Sequence, residues 1–160
     1  MNKFNADNKG ILVFYSTSTV NRIVPDVWQE DINSILKQDF KNIDIIVSEY
    51  RGGKSLDNNQ QIQNFINFIR SHGHLYNIVN SKISVFASGN HSVREATKKR
   101  GTYEYYLDVR CGLSFPKNNI LGNLYNWLIQ NEDIARASLP IVSNHDNGFP
   151  PAKQTGKGVW

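Results

Sequence analysis

The succession of patterns along this chain points to an α/β domain in which a parallel sheet carries helices on both faces. Two observations lead there. Short apolar, β-branched runs recur at residues 11–15 (ILVFY), 41–47 (KNIDIIV) and 83–86 (ISVF), and stretches with apolar residues three and four apart separate the first two. Each run also stops at a cluster rich in Ser, Thr, Gly or Asn, as expected of strands that present their C-terminal ends to a ligand.

Taken in order, residues 11–15 are a continuous apolar run, the mark of a strand buried on both faces. After a polar loop over 16–19, Ile23, Val27, Ile32, Ile35 and Leu36 recur at mostly helical spacing, and Pro25 suits a first helical turn. Strand pattern returns over 41–47. Asp57 is the expected N-cap of a helix over 60–70, whose Ile62, Phe65, Ile66 and Ile69 make an apolar stripe that belongs to a core. In Ser71-His72-Gly73-His74 the glycine fits a helix C-terminus. Without a third ligand nearby, the two histidines read as exposed loop residues and not as a metal pair. Residues 83–86 are expected to form the next strand, 95–101 to open a helical segment and 112–115 to form a short last strand. The final helix, over 120–134, puts Leu121, Leu124, Tyr125 and Leu128 on one side. Residues 1–142 read as one domain. Residues 143–160, with Pro150-Pro151 and few apolar side chains, read as an extended or disordered tail.

Composition narrows the class. A hydrophobic content of 39% with 11% aromatics excludes wholesale disorder. No apolar run approaches the roughly 18 residues of a membrane span, and the start MNKFNADNKG is polar, so a soluble, cytoplasmic protein is expected. The net charge is +4, but apart from Lys98-Lys99-Arg100 the basic residues are scattered and not interleaved with aromatics, which argues against a nucleic-acid partner. The single cysteine, Cys111, cannot form an internal disulfide and, beside the apolar 112–115 stretch, reads as a buried small hydrophobe.

Three loops carry the chemistry. Ser16, Thr17, Ser18, Thr19 and Asn21 offer hydroxyls and amides ahead of a helix, which suits either a phosphate or an N-capping cluster that binds nothing. Tyr50 stands beside Gly52-Gly53, a ring for stacking next to a flexible peptide. The following Lys54-Ser55 does not complete a triphosphatase phosphate loop, because Ser48 occupies the position of that motif's first glycine. Ala87, Ser88, Gly89 and Asn90 are small enough to let a flat ligand approach the backbone, or to make a tight turn.

In this order and spacing, Tyr15-Ser16-Thr17-Ser18-Thr19-Val20-Asn21, Tyr50-Arg51-Gly52-Gly53 and Ala87-Ser88-Gly89-Asn90 resemble NrdI, the flavodoxin-like accessory protein of class Ib ribonucleotide reductase. The resemblance runs over residues 11–115 and implies a flavodoxin-like fold with noncovalent FMN. It implies that Ser16, Thr17, Ser18, Thr19 and Asn21 hold the phosphate and Tyr50 lies against the isoalloxazine. Gly52 or Gly53 would bond near N5, with Ala87, Ser88, Gly89 and Asn90 bordering the other side. The implied role is electron transfer from reduced flavin, giving an oxidant for the dimanganese site of the reductase small subunit. That subunit is the expected partner, alongside a reductase or thioredoxin-like reductant. Arg51 or Lys54 would add positive potential near the flavin. The chain departs from the pattern at Val20, where flavodoxins carry glycine, at Arg22 and at Arg51. Two other readings stand beside this one. One is a flavin-less binding module. The other is an enzyme acting on a nucleotide or phosphate ester at the same edge, with Glu49, His91 or Glu95 as base.

Overall fold

The computed structural model describes residues 10–20, 22–79, 85–131 and 133, with 85–88 described through their backbone. Among them strand and helix alternate throughout: β1 (Ile11–Ser18), α1 (Pro25–Leu36), β2 (Ile43–Tyr50), α2 (Gln60–Ser71), β3 (Leu75–Val79), α3 (Val85–Arg100), β4 (Tyr105–Arg110) and α4 (Ile120–Gln130). The strands form one parallel sheet in the order β3-β2-β1-β4.

Strand β1 lies between β2 and β4, and its alternating side chains define two cores. Ile11, Val13 and Tyr15 join Ile43, Ile45 and Val47 of β2 against Trp28, Ile32 and Ile35 of α1, the Ile62-Phe65-Ile66-Ile69 stripe of α2, and Leu121 of α4. On the opposite face Leu12, Phe14 and Ile46 meet Ala96 and Val93 of α3. The α/β architecture with helices on both faces is therefore the one the patterns predicted. Burying each large aliphatic or aromatic side chain contributes about 1.5–3 kcal/mol, so the larger α1–α2–α4 side supplies most of the apolar stabilisation.

Several local expectations are corrected. The third strand is Leu75–Val79, not residues 83–86; of these, 83 and 84 lie outside the described residues, and 85 and 86 begin α3. The polar members of β3 are satisfied by neighbouring elements, Tyr76 donating its hydroxyl to Glu49 of β2 at 2.7 Å and Asn77 its amide to Ser92 of α3 at 2.8 Å. Among the described residues the last strand is Tyr105–Arg110, and 112–115 are irregular. Helix α2 begins at Gln60 and is capped by Asn59, whose Oδ1 accepts from Ile62 N at 3.0 Å, while Asp57, two residues further out, accepts from Arg51. His74 is not an exposed loop residue: its ring is largely covered and Nδ1 lies 3.1 Å from the buried Asp44 carboxylate. Cys111 is exposed.

The small residues over 87–96 have a packing purpose. Gly89, Ser92, Val93 and Ala96 fall at three- and four-residue steps, and they form the stripe that α3 lays on the sheet. A Cβ on Gly89 would sit 3.3 Å from two atoms of the Phe14 ring, and the fully buried Ser92 donates to Ser48 Oγ at 2.8 Å. Large side chains there would hold the helix off the sheet. Among the described residues no helix is long and apolar enough to cross a membrane. Residues 143–160 lie outside the described part.

Gly89→Val should therefore destabilise the protein by about 1–3 kcal/mol, the usual effect of overpacking, as read from the urea midpoint. Phe14→Leu introduced alongside it should recover part of that loss, where independent defects would add.

Candidate functional site

The C-terminal ends of the parallel strands form the candidate site. Ser16, Thr17 and Ser18 are not in a loop; they continue β1 as far as Ser18. Strand alternation divides them: Thr17 is buried on the α1 side, with no hydrogen-bond partner for Oγ1, while Ser16 and Ser18 face the α3 side. Thr19 is buried and ties the first loop to β2, its N–H donating to Tyr50 O at 3.0 Å. Helix α1 starts only at Pro25, behind a Val24 N-cap that makes no side-chain bond. The hydroxyls thus point to two faces and do not form one cradle at a helix end. Asn21 lies outside the described residues.

The second candidate loop does meet the first. Tyr50 ends β2 half-buried, and Gly52 and Gly53 turn the chain at φ 57 and 85, where other residues are strained. A Cβ on Gly52 would stand 2.7 Å from Val20 Cγ2, and Lys54 Nζ donates to the carbonyls of Val20 at 2.6 Å and Thr19 at 3.3 Å. Beneath the turn, the fully buried Glu49 carboxylate accepts from Arg51 Nε at 2.9 Å and Nη2 at 3.3 Å and from Tyr76. Arg51 Nη1 reaches Asp57 at 2.9 Å. Burial works against the Arg51 charge, but Glu49 and Asp57 outweigh it and hold its pKa above the ordinary value. Burial and the same Glu49 charge push the Tyr76 phenol strongly upward. Arg51 and Lys54 are thus committed to internal partners and do not lend charge to a flavin.

The third segment comes to the same edge, but as helix. Residues 87–90 lie in the first turns of α3, and their loop assignment is corrected accordingly. From Gly89 over Phe14, through Ser92 beside Ser48, to Arg100 at 3.9 Å from Asp44, the helix descends from the upper part of the strands toward the start of β2. Its first turns, with the backbone of Ala87, Ser88, Gly89 and Asn90, therefore lie toward the C-terminal edge of the sheet.

Pattern reading missed the fourth contributor, the end of β4. Arg110 is its last residue, exposed, and pairs in register with Ser16. The β1–β2 ladder runs on to Ser18–Tyr50 while the β1–β4 ladder stops at Ser16–Arg110, so a notch opens beside the end of β1. The chain leaving β4 is held by polar side chains of α1 and of Gln38 just beyond it. Gly112 N donates to Asp31 Oδ2 at 2.7 Å, Phe115 N to Ser34 Oγ at 3.0 Å and Leu121 N to Gln38 Oε1 at 3.0 Å. Asp31 also receives the Tyr15 hydroxyl at 2.7 Å; burial raises its pKa, and burial together with Asp31 drives the Tyr15 phenol upward. The only sequence signal for β4 was the alternation in YYLDVR, which its polar alternate positions obscured.

No protein-family model and no curated protein matches this sequence. Solved structures do. S. aureus TarS superposes with a TM-score of 0.52 over 77% of this chain and 20% of its own, at 16% identity. The TarS 1-349 complex with UDP gives a TM-score of 0.51 over 77% of this chain and 33% of its own, at 16% identity. The mannosyltransferase PcManGT from Pyrobaculum calidifontis, in complex with GDP-Man and Mn2+, gives 0.51 over 78% of this chain and 34% of its own, at 13% identity. At these identities the likeness is one of fold, and this chain spans between a fifth and about a third of those proteins' length.

These neighbours overturn the NrdI resemblance, and with it FMN as cofactor and flavin electron transfer as function. The physical reason lies in the motifs. Ser16, Thr17 and Ser18 are strand, Ala87 to Asn90 are helix, and the cations expected near a flavin are tied to Glu49 and to backbone carbonyls. The reductase small subunit and thioredoxin-like reductant were expected only through that resemblance and lose their basis.

Two outcomes follow. Arg51→Met leaves Glu49 buried without its partner and should cost about 3–5 kcal/mol in urea unfolding, whereas Asp57→Asn, at an exposed carboxylate, should cost under about 1 kcal/mol. For Asp31 the folded pKa is raised, so its stability contribution is complete below the ordinary carboxylate value and is lost as pH rises through the folded value. Across that window the urea midpoint of Asp31→Asn should move upward relative to wild type.

Proposed function

We propose that this chain is a nucleotide-binding module that holds a nucleoside diphosphate, as the end group of a nucleotide sugar, at the C-terminal edge of β1, β2 and β4. The observation carrying the reading is the notch beside Ser18, where β4 has crossed to the far side of β1 and its ladder ends two residues early. Parallel α/β sheets bind ligands outside the strand ends where the order of strands reverses, and here that reversal falls between β1 and β4. The fold neighbours include a complex with UDP and one with GDP-Man, which supports the same class of ligand.

In this reading the half-buried Tyr50 ring stacks on the nucleobase and the diphosphate extends toward β4. Ser16 and Ser18 face it from β1. A cytoplasmic location is part of the same proposal. Hydrolysis of a phosphate ester is less well supported, because the bases available for it are occupied or remote. Glu49 is locked by Arg51 and Tyr76, and Glu95 pairs with Lys98 at 2.9 Å along α3. His91 is exposed on that helix.

Calorimetric titration with UDP, GDP and FMN tests the reading. UDP or GDP should bind saturably and, at a hundred times its Kd, stabilise the protein by about 2.7 kcal/mol, while FMN gives no shift. Tyr50→Ala should weaken the nucleotide roughly three- to tenfold. Absence of saturable binding by either nucleotide would remove the proposal.

A further inference from the structure

The PcManGT complex pairs its nucleotide sugar with Mn2+, so the donor set at this edge is informative about a metal. A hard divalent cation is held by several oxygen ligands, usually including carboxylates not already neutralised. Among the described residues no three His, Cys, Asp or Glu side chains are grouped to hold one. Glu49 is buried under Arg51 and Tyr76, and Asp57 accepts from Arg51. Asp31 accepts from Tyr15 and Gly112. Asp108 is exposed on β4 two residues before Arg110 and on the same side of the strand, and Asp26 lies apart from it in the first turn of α1. A single carboxylate beside a guanidinium offers a divalent ion too few ligands and a repelling neighbour. The described residues do not fit a Mn2+ site.

They do fit an anion. Arg110 ends β4 at the notch, is exposed, and makes no ion pair among the described residues. In a parallel pair, register partners point to the same face, so Arg110 and Ser16 share the α3 side on which Ser18 also lies. The backbone that carries it is fixed immediately beyond, by Cys111 N donating to Ser16 O at 3.0 Å and by Gly112 N on Asp31. A guanidinium keeps its charge at every working pH and presents paired N–H groups that match two phosphate oxygens. Of the other cations near the turn, Arg51 and Lys54 are occupied, and Arg22 is exposed in the loop after β1.

We infer that the diphosphate bound at this edge is neutralised by the Arg110 guanidinium and not by a divalent metal ion. This rests on the nucleotide-binding reading above and adds to it the means of charge compensation.

The test is calorimetry on the full chain with UDP and with GDP, in EDTA and in MnCl2, for wild type and Arg110→Gln. Uridine and guanosine serve as phosphate-free controls, and circular dichroism confirms that the exposed substitution leaves the fold intact. The expected result is a diphosphate Kd equal within about twofold in EDTA and Mn2+. Arg110→Gln should weaken the diphosphate at least tenfold while leaving nucleoside binding unchanged, the loss expected for a charged hydrogen-bonded pair. Tightening of tenfold or more by Mn2+, or an unchanged diphosphate Kd in Arg110→Gln, overturns this inference and leaves the nucleotide reading in place. If neither nucleotide binds in either condition, both fall.

Discussion

Strand β1 is hydrogen-bonded on both edges and covered on both faces, and this double enclosure governs the rest of the molecule. A strand so placed must be apolar along its covered length, which Ile11, Leu12, Val13, Phe14 and Tyr15 satisfy with almost no exposed surface. Polarity enters only toward the end of the strand, at Ser16, the still buried Thr17 and the exposed Ser18. Because β4 leaves the ladder two residues before β2 does, that polar end borders a notch on one side and a paired strand on the other. The candidate site is thus a consequence of unequal strand lengths around one central strand.

Polar side chains then decide where the loops go. Helix α1 turns its apolar stripe to the core but also carries Asp31 and Ser34, with Gln38 just beyond its C-terminus, and each of the three takes a backbone N–H from the chain that leaves β4. On the other side, the Glu49–Arg51 pair lies under the Gly52-Gly53 turn. Removing two charges from water costs more than their attraction returns unless further bonds complete them, and here Tyr76 and Asp57 do so. What these contacts contribute is a defined loop geometry more than net stability.

The same composition served two different purposes along this chain, which is why the NrdI resemblance misled. Runs of Ser, Gly, Ala and Asn allow a ligand to approach a backbone, and they equally allow a helix to approach a sheet. At 87–96 the second use holds, since Gly89 meets the Phe14 ring and Ala96 is fully enclosed. A period of three and four is present in Gly89, Ser92, Val93 and Ala96, but small and polar side chains give it little amphipathic contrast, so the β-branched residues just upstream dominated the reading.

Strongly apolar elements were legible as written. The run through Tyr15, the Ile62-Phe65-Ile66-Ile69 stripe and Pro25 at the start of α1 all declare themselves through side chains whose burial alone dictates their placement, and from them the α/β class follows. The turn at Gly52-Gly53 was legible too. Strands β3 and β4 were not, because Tyr76, Asn77, Asp108 and Arg110 are polar residues in edge strands, where solvent or a cross-sheet partner satisfies what a central strand would have to exclude. Nor did any local pattern show that Arg110 stands beside Ser16. Hydrophobic periodicity reports which side chains leave water, but which strand ends up next to which, and where a ladder stops, depends on contacts between residues some ninety positions apart in sequence.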